Sequence, residues 1–249
     1  MRTRLDQALV ERGLCESREK AKRAILAGAV RINGRTADKA SDKTRTEDHL
    51  ELVAAEKFVS RGGYKLEHAL QHFHLEVRDK QCVDLGASTG GFTDCLLQHG
   101  ARLVYAVDVG QGQLAWKLRT DSRVHVLEKT NARNLTRERF GPGFDGCDLV
   151  VIDCSFISIT KILPSAIELL VPSGRIIGLL KPQFEAGRAE VDKGAGVIKD
   201  PAIHLRVLNE VEAFVRNTNG LNWLGFVESP ILGPAGNKEF LIQLEKKEC

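Results

Sequence analysis

A chain of 249 residues that is 43% hydrophobic and 28% charged carries enough apolar material for a sizeable core, which sets aside a disordered or low-complexity polymer. No run approaches the roughly 20 apolar residues of a membrane helix, and the opening MRTRLDQALVERG lacks the apolar core of a secretion signal, so the expectation is a cytoplasmic protein with no membrane partner. Net charge is only +3, yet residues 1–45 hold twelve Lys/Arg against six Asp/Glu and leave the rest at −3; a basic head on a mildly acidic body fits a head that meets a polyanion, and equally a solvated helix face.

In chain order, residues 1–53 read as a small α+β domain of two helices followed by short strands. Leu5, Ala8 and Leu9 share a face of the first helix, which ends near Gly13. Ser17 caps a second helix with Ala21, Ala24, Ile25 and Leu26 as its buried side, stopped at Gly28. Val30 and Ile32 alternate with polar residues, Asn33-Gly34 supplies a tight turn, and a further strand falls around Leu50–Val53. The run RLDQALVERGLCESREKAKRAILAGAVRINGR resembles the S4 RNA-binding domain. That resemblance implies recognition of structured RNA by shape and phosphate contacts, and Arg4, Arg18 and Lys39 match positions where the group touches RNA.

A linker is expected over 54–63, where Gly62 and Gly63 can bend the chain, and a second domain over 64–249 that opens with a helix from Tyr64 to Phe73. From residue 81 strand-like runs (CVDL, LVYAVD, VHVLE, DLVVID, RIIGLLK) alternate with helical patterns at 91–99, 112–119 and 158–170. Asp200-Pro201 starts another helix by cap and first-turn proline. Two last strands, around Trp223–Val227 and Glu239–Leu244, flank a Gly-Pro turn. Alternating β and α units predict a Rossmann-like α/β fold, a mostly parallel sheet with helices on both faces and an antiparallel edge hairpin. The six cysteines lack CxxC spacing and read as buried free thiols; His68, His72 and His74 have no partners that would complete a metal site, so no metal is expected.

The sharpest motif is VDLGASTGGFTDCL, between a buried strand and a helix. Gly86 allows a tight turn, Gly90 and Gly91 let backbone approach a ligand, and Phe92 anchors the helix. A nicotinamide loop wants glycine where this chain has Ser88, and Asp84 just before the turn suits a cationic sulfonium better than a pyrophosphate. The cofactor expected is therefore S-adenosylmethionine, with Asp108 at the end of the second strand taking the ribose hydroxyls and Asn131 the adenine edge.

Methyl transfer from a sulfonium needs alignment and removal of a proton, and a ribose hydroxyl is too weakly acidic to react unaided. Four residues fall where such a site belongs: Lys65 on the lead-in helix, Asp153 and Lys181 at strand ends, and Glu239 after the Gly-Pro turn. Neighbouring ammonium groups disfavour one another's charge, which fits one of them to act as base. The order Lys65, Asp153, Lys181, Glu239 resembles the K-D-K-E tetrad of FtsJ-like ribose 2′-O-methyltransferases. With the S4-like head, SRGGYKL, DCSFISI, LLKPQFE and NKEF, the whole chain resembles the TlyA family, often called haemolysins. The resemblance implies methylation of cytidine 2′-hydroxyls in ribosomal RNA, Lys181 as general base, Asp153 and Lys65 holding and tuning it, and Glu239 fixing Lys65 or the ribose. Compact ends resemble the branch that acts on large-subunit RNA, and Ala54–Lys57 lacks the aromatic-proline character of some members' linkers.

Rival readings meet obstacles. Amine methylation uses an Asn/Asp-Pro-Pro-aromatic motif where this chain has Asp153-Cys154-Ser155-Phe156, and carbon methylation needs a cysteine usually preceded by proline, whereas Cys154 follows Asp153. A membrane-lytic protein needs a strongly amphipathic segment or a barrel, and neither pattern is present in the sequence. A non-catalytic RNA-binding assembly factor would have no use for the tetrad.

Overall fold

The computed structural model describes residues 2–26, 28–37, 39–53 and 56–248. It divides into two units, 1–57 and 58–249. In the first, β1 (Arg2–Arg4) leads into α1 (Leu5–Glu11), then α2 (Arg18–Leu26), β2 (Val30–Ile32), β3 (Arg35–Thr36), β4 (Lys43–Arg45) and β5 (Leu50–Leu52). Leu5, Ala8 and Leu9 pack against Ala21, Ile25, Val30 and Leu50 to form one small core. Ser17 Oγ accepts the Lys20 N–H at 3.2 Å and caps α2. Asn33 and Gly34 both take positive φ, 51° and 79°, the pair of left-handed residues that a two-residue turn between β2 and β3 demands.

Two details differ from the sequence reading. Leu26 is 82% exposed, because the helix turns by about 100° per residue and the buried stripe runs through Ala21 and Ile25 instead. The antiparallel pair β1–β4 was not expected, since its strands are three residues of Arg, Thr and Lys with no apolar alternation to betray them.

The second unit runs α3 (Gly62–His72), β6 (Gln81–Leu85), α4 (Gly91–Gln98), β7 (Leu103–Val107), α5 (Trp116–Arg119), β8 (Val124–Leu127), β9 (Cys147–Ile152), α6 (Leu163–Leu169), β10 (Leu170–Leu180), α7 (Pro182–Glu185), α8 (Arg188–Lys193), α9 (Pro201–Asn217), β11 (Leu221–Glu228) and β12 (Phe240–Lys246). The seven strands lie in the order β11-β12-β10-β9-β6-β7-β8. Five are parallel; β12 inserts antiparallel between β10 and β11, which makes the expected hairpin the edge of an open sheet. Alternate strand residues feed two cores. Val83, Leu85, Val150 and Ile152 face α6 and α9, while Cys82, Leu149 and Val151 face α3 and α4. Side chains this buried stabilise the fold by roughly 1.5–3 kcal/mol apiece. Asp200 accepts the Ala202 N–H at 2.9 Å and Pro201 occupies the first turn of α9, as its sequence indicated.

The helix expected over 112–119 is only α5, because the preceding loop folds back: Gly110 N–H donates to Asp108 and Gly112 N–H to Glu128. The pattern at 158–170 resolves into a short turn at Ile159–Lys161 and then α6, with Pro164 in its first turn. Of the expected linker, Ala54 and Ala55 lie outside the described residues, whereas Phe58 is 2% exposed within the second unit's core. A Cβ on Gly63 would sit 2.2 Å from the Phe58 ring, so this glycine serves close packing at the start of α3 rather than a bend.

Candidate functional site

From β6 the chain steps outward through β7 and β8, then returns to lay β9 on the other side of β6. Such a switch in strand order opens a crevice at the carboxyl ends of the two central strands. Two adjoining cavities lie there, of about 270 and 500 Å³, with Gly86, Ser88, Asp153 and Ser155 in both walls.

The larger cavity is lined by Asp108, Gln113, Thr130 and Asn131 together with the apolar Val107, Val109, Ala132, Ile157 and Ile162. Asp108 is fixed by two backbone donors, Ser88 N–H to Oδ2 (2.8 Å) and Gly110 N–H to Oδ1 (2.6 Å). Each oxygen keeps a further lone pair with which to accept a hydroxyl. Asn131 Oδ1 accepts the Arg133 N–H at 3.0 Å, which fixes the amide and leaves its nitrogen and a second oxygen lone pair for a ligand.

The glycine loop corrects three expectations. Gly86 turns at φ +89°, and a Cβ there would lie 2.7 Å from the Asp153 carbonyl oxygen, so the turn fits against the backbone of the neighbouring strand end. Gly90 does not line either cavity: a Cβ on it would strike Leu118 at 2.2 Å. Gly91 and Phe92 do line the smaller one, but Gly91 makes its room for Ser60 Oγ and Gly63 N. These two glycines thus let protein, not ligand, come close. Asp84 is behind the walls rather than in them, fully buried, with Oδ2 accepting the Thr93 N–H (3.0 Å) and O–H (2.7 Å). Its Oδ1 has no partner among the described residues. Burial pushes its carboxyl up to about 7; the Thr93 hydrogen bonds oppose that rise and the Asp153 charge adds to it.

The smaller cavity gathers Lys65, Asp153, Lys181 and Glu239. Register explains why. Antiparallel pairing of Leu180 with Phe240 brings the flanking Lys181 and Glu239 to adjacent strand ends, and parallel pairing of Leu85 with Ile152 does the same for Gly86 and Asp153. Lys65, on the buried face of α3, forms an ion pair with Glu239, their side chains 7% and 1% exposed. Lys181 Nζ lies 2.6 Å from Asp153 Oδ1 and donates to Ser155 Oγ at 2.9 Å. Each ammonium therefore meets a carboxylate instead of simply facing the other lysine, and the four charges cancel. Ser155, Gln113 and Thr130 escaped the sequence reading. Only Ser155, two residues after Asp153, carried a local signal. Glu185 also escaped it; accepting from Ser158 Oγ (2.6 Å) and Ile159 N–H (2.7 Å), it ties the loop after β10 to the loop after β9.

In the first unit, Arg4 and Arg18 converge on buried Asp6, at 3.0 and 2.8 Å. The Arg4 hydrogen bond leads in holding the Asp6 carboxyl down at about 2. Both guanidinium groups remain partly exposed, two positive charges set over one negative, and Lys39 is exposed.

Comparison with known proteins adds names to this geometry. The family model described as FtsJ-like methyltransferase matches residues 58–246, and the S4 domain model matches 3–50. The 16S/23S rRNA (cytidine-2′-O)-methyltransferase TlyA of Mycobacterium tuberculosis is 45% identical over 98% of this chain and 90% of its own length. The 23S rRNA (cytidine-2′-O)-methyltransferase TlyA of Campylobacter jejuni is 35% identical over 78% of this chain and 73% of its own. A solved structure from Streptococcus thermophilus that carries a hemolysin name is 46% identical, with a TM-score of 0.74 over 99% of this chain and 89% of that one.

Proposed function

The chain belongs to the FtsJ-like methyltransferase family, and from that premise we propose that it methylates the ribose 2′-hydroxyl of a cytidine in ribosomal RNA, using S-adenosylmethionine. The 23S molecule is the target that the names of both relatives share. The observation that carries the reading is the meeting of Lys65, Asp153, Lys181 and Glu239 in one cavity that runs into the cleft holding Asp108.

The donor set suits the cofactor. Asp108 has lone pairs for a ribose diol, and the apolar wall around Ile157 and Ile162 suits a purine face. Bound there, S-adenosylmethionine supplies an electrophilic methyl group. The chain's own residues do the rest. Lys65 and Glu239 orient the ribose, and Lys181, after its ammonium has given a proton to solvent, takes the 2′-hydroxyl proton on the neutral Nζ as that oxygen accepts the methyl group. Asp153, 2.6 Å away, holds the resulting ammonium in place. The Arg4–Asp6–Arg18 cluster and Lys39 give the S4 unit a phosphate-binding face, and an assembled large subunit would be the fuller partner.

Incubation with labelled methyl donor and separated ribosomal RNAs, followed by mapping of the sugar, tests the proposal. Lys181→Ala is expected to abolish transfer while calorimetry shows cofactor affinity within a few-fold of the parent. Turnover like the parent's removes Lys181 as base. A non-catalytic assembly factor would bind RNA and transfer nothing even in the parent. As for the hemolysin name, no helix among the described residues is long and apolar enough to cross a membrane.

A further inference from the structure

Beside the catalytic cavity lies a groove of about 830 Å³, walled by Arg133, Phe156, Lys161, Gln183, Phe184 and Arg188. It adjoins the chemistry directly: the Lys181 ammonium lies 6.0 Å from the centre of the Phe184 ring, and Phe156 follows Ser155 in the chain. Phe156 is 91% exposed and held at φ +64°, a conformation that costs a bulky residue free energy. Within this wall the Gln183 side-chain oxygen is buried without a hydrogen-bond partner among the described residues. A buried acceptor left unmade is unfavourable and asks for a donor.

We propose that this groove seats the base of the nucleotide being methylated, and that Gln183 selects cytosine by accepting a hydrogen bond from its exocyclic amine. The inference rests on the reading of the chain as a ribose methyltransferase and adds the residue that chooses the base. Three observations converge on it. The Phe184 wall of the groove lies 6.0 Å from the Lys181 ammonium, so a base seated there stays attached to a ribose at the catalytic cavity. The exposed face of Phe156 offers a surface for a planar ring, and Arg133, Lys161 and Arg188 put positive charge where the adjoining phosphates run. The unpaired atom is an acceptor, which an amine satisfies and the carbonyl of uracil at the same position repels. The Arg188 side chain is 95% exposed, so it and Phe156 can give way as the base enters. Rotation of the Gln183 amide by a half-turn would present a donor and invert the preference, so the direction of selectivity is itself a measurement.

The experiment uses the full chain and two RNA transcripts that differ only in cytidine or uridine at the mapped position. The parent is expected to favour cytidine by roughly tenfold to a hundredfold in kcat/KM, the range set by one unsatisfied buried acceptor. Gln183→Leu should bring the two rates within about threefold, and Gln183→Glu, which keeps an acceptor, should retain the preference. Thermal melting verifies that each variant folds, and transfer to uridine by Gln183→Leu is a gain that misfolding cannot mimic. A cytidine preference unchanged in Gln183→Leu overturns the assignment while leaving the methyltransferase reading intact. A parent that favours uridine, or a Gln183→Glu that loses the preference, overturns it as well. A parent that transfers to neither transcript nor to ribosomal RNA removes the underlying reading and this one with it.

Discussion

Replacing Glu239 with alanine separates what the buried pair does for stability from what it does for chemistry. Lys65 and Glu239 are 7% and 1% exposed, so the deletion strands an ammonium in a site that almost no water reaches. Breaking such a pair from one side costs about 3–5 kcal/mol. For a unit near 200 residues, 1 kcal/mol corresponds to about 2–4 °C, so the melting temperature should fall by roughly 6–20 °C. The double variant Lys65→Met/Glu239→Leu removes both charges and fills the space with apolar atoms. It should recover most of that loss, since well-packed hydrophobic replacements of buried pairs are neutral or stabilising. Methyl transfer should be absent from both. Thermal denaturation of the parent, Lys65→Met, Glu239→Leu and the double variant closes the cycle. A double variant as unstable as Glu239→Ala refutes the argument that stranded charge is the cost. An active double variant refutes the pair's place in the chemistry.

Two further outcomes follow from the same geometry. Because burial raises the Asp84 carboxyl to about 7, the folded state holds its proton more tightly than the unfolded chain does between about pH 4 and 7. Its contribution is therefore fully favourable below about 4 and is lost as pH rises toward 7. Asp84→Asn should flatten that slope in chemical denaturation across this window, and an unaltered slope places the titration elsewhere. In the first unit Arg18→Ala leaves Asp6 paired with Arg4, so the fold should persist while RNA affinity falls and the dependence of log affinity on log salt drops by about one. An unchanged salt slope takes Arg18 out of the phosphate contacts.

What the sequence disclosed was what is local. Asn33-Gly34, the Asp200-Pro201 cap and the turn at Gly86 each need particular residue types at particular φ, and those types are visible in the chain. Strand ends and the lead-in helix were legible too, so Lys65, Asp153, Lys181 and Glu239 could be picked out before any contact was known. The reasons for Gly90, Gly91 and Gly63 were not legible, because the atoms they accommodate, in Leu118, Ser60 and Phe58, come from other segments. Nor could spacing reveal that Arg4 and Arg18 share one buried carboxylate, or that the Gln183 oxygen has no donor among the described residues. The short polar strands β1 and β4 were invisible because pairing, not patterning, defines them.

The contact between Gly86 and the Asp153 carbonyl joins two loops that a mechanism would otherwise have to bring into line. With no side chain between them, the glycine turn and the strand end that carries Asp153 pack backbone against backbone. Any residue larger than glycine at 86 would act as a wedge between the two loops, displacing the strand end that carries Asp153.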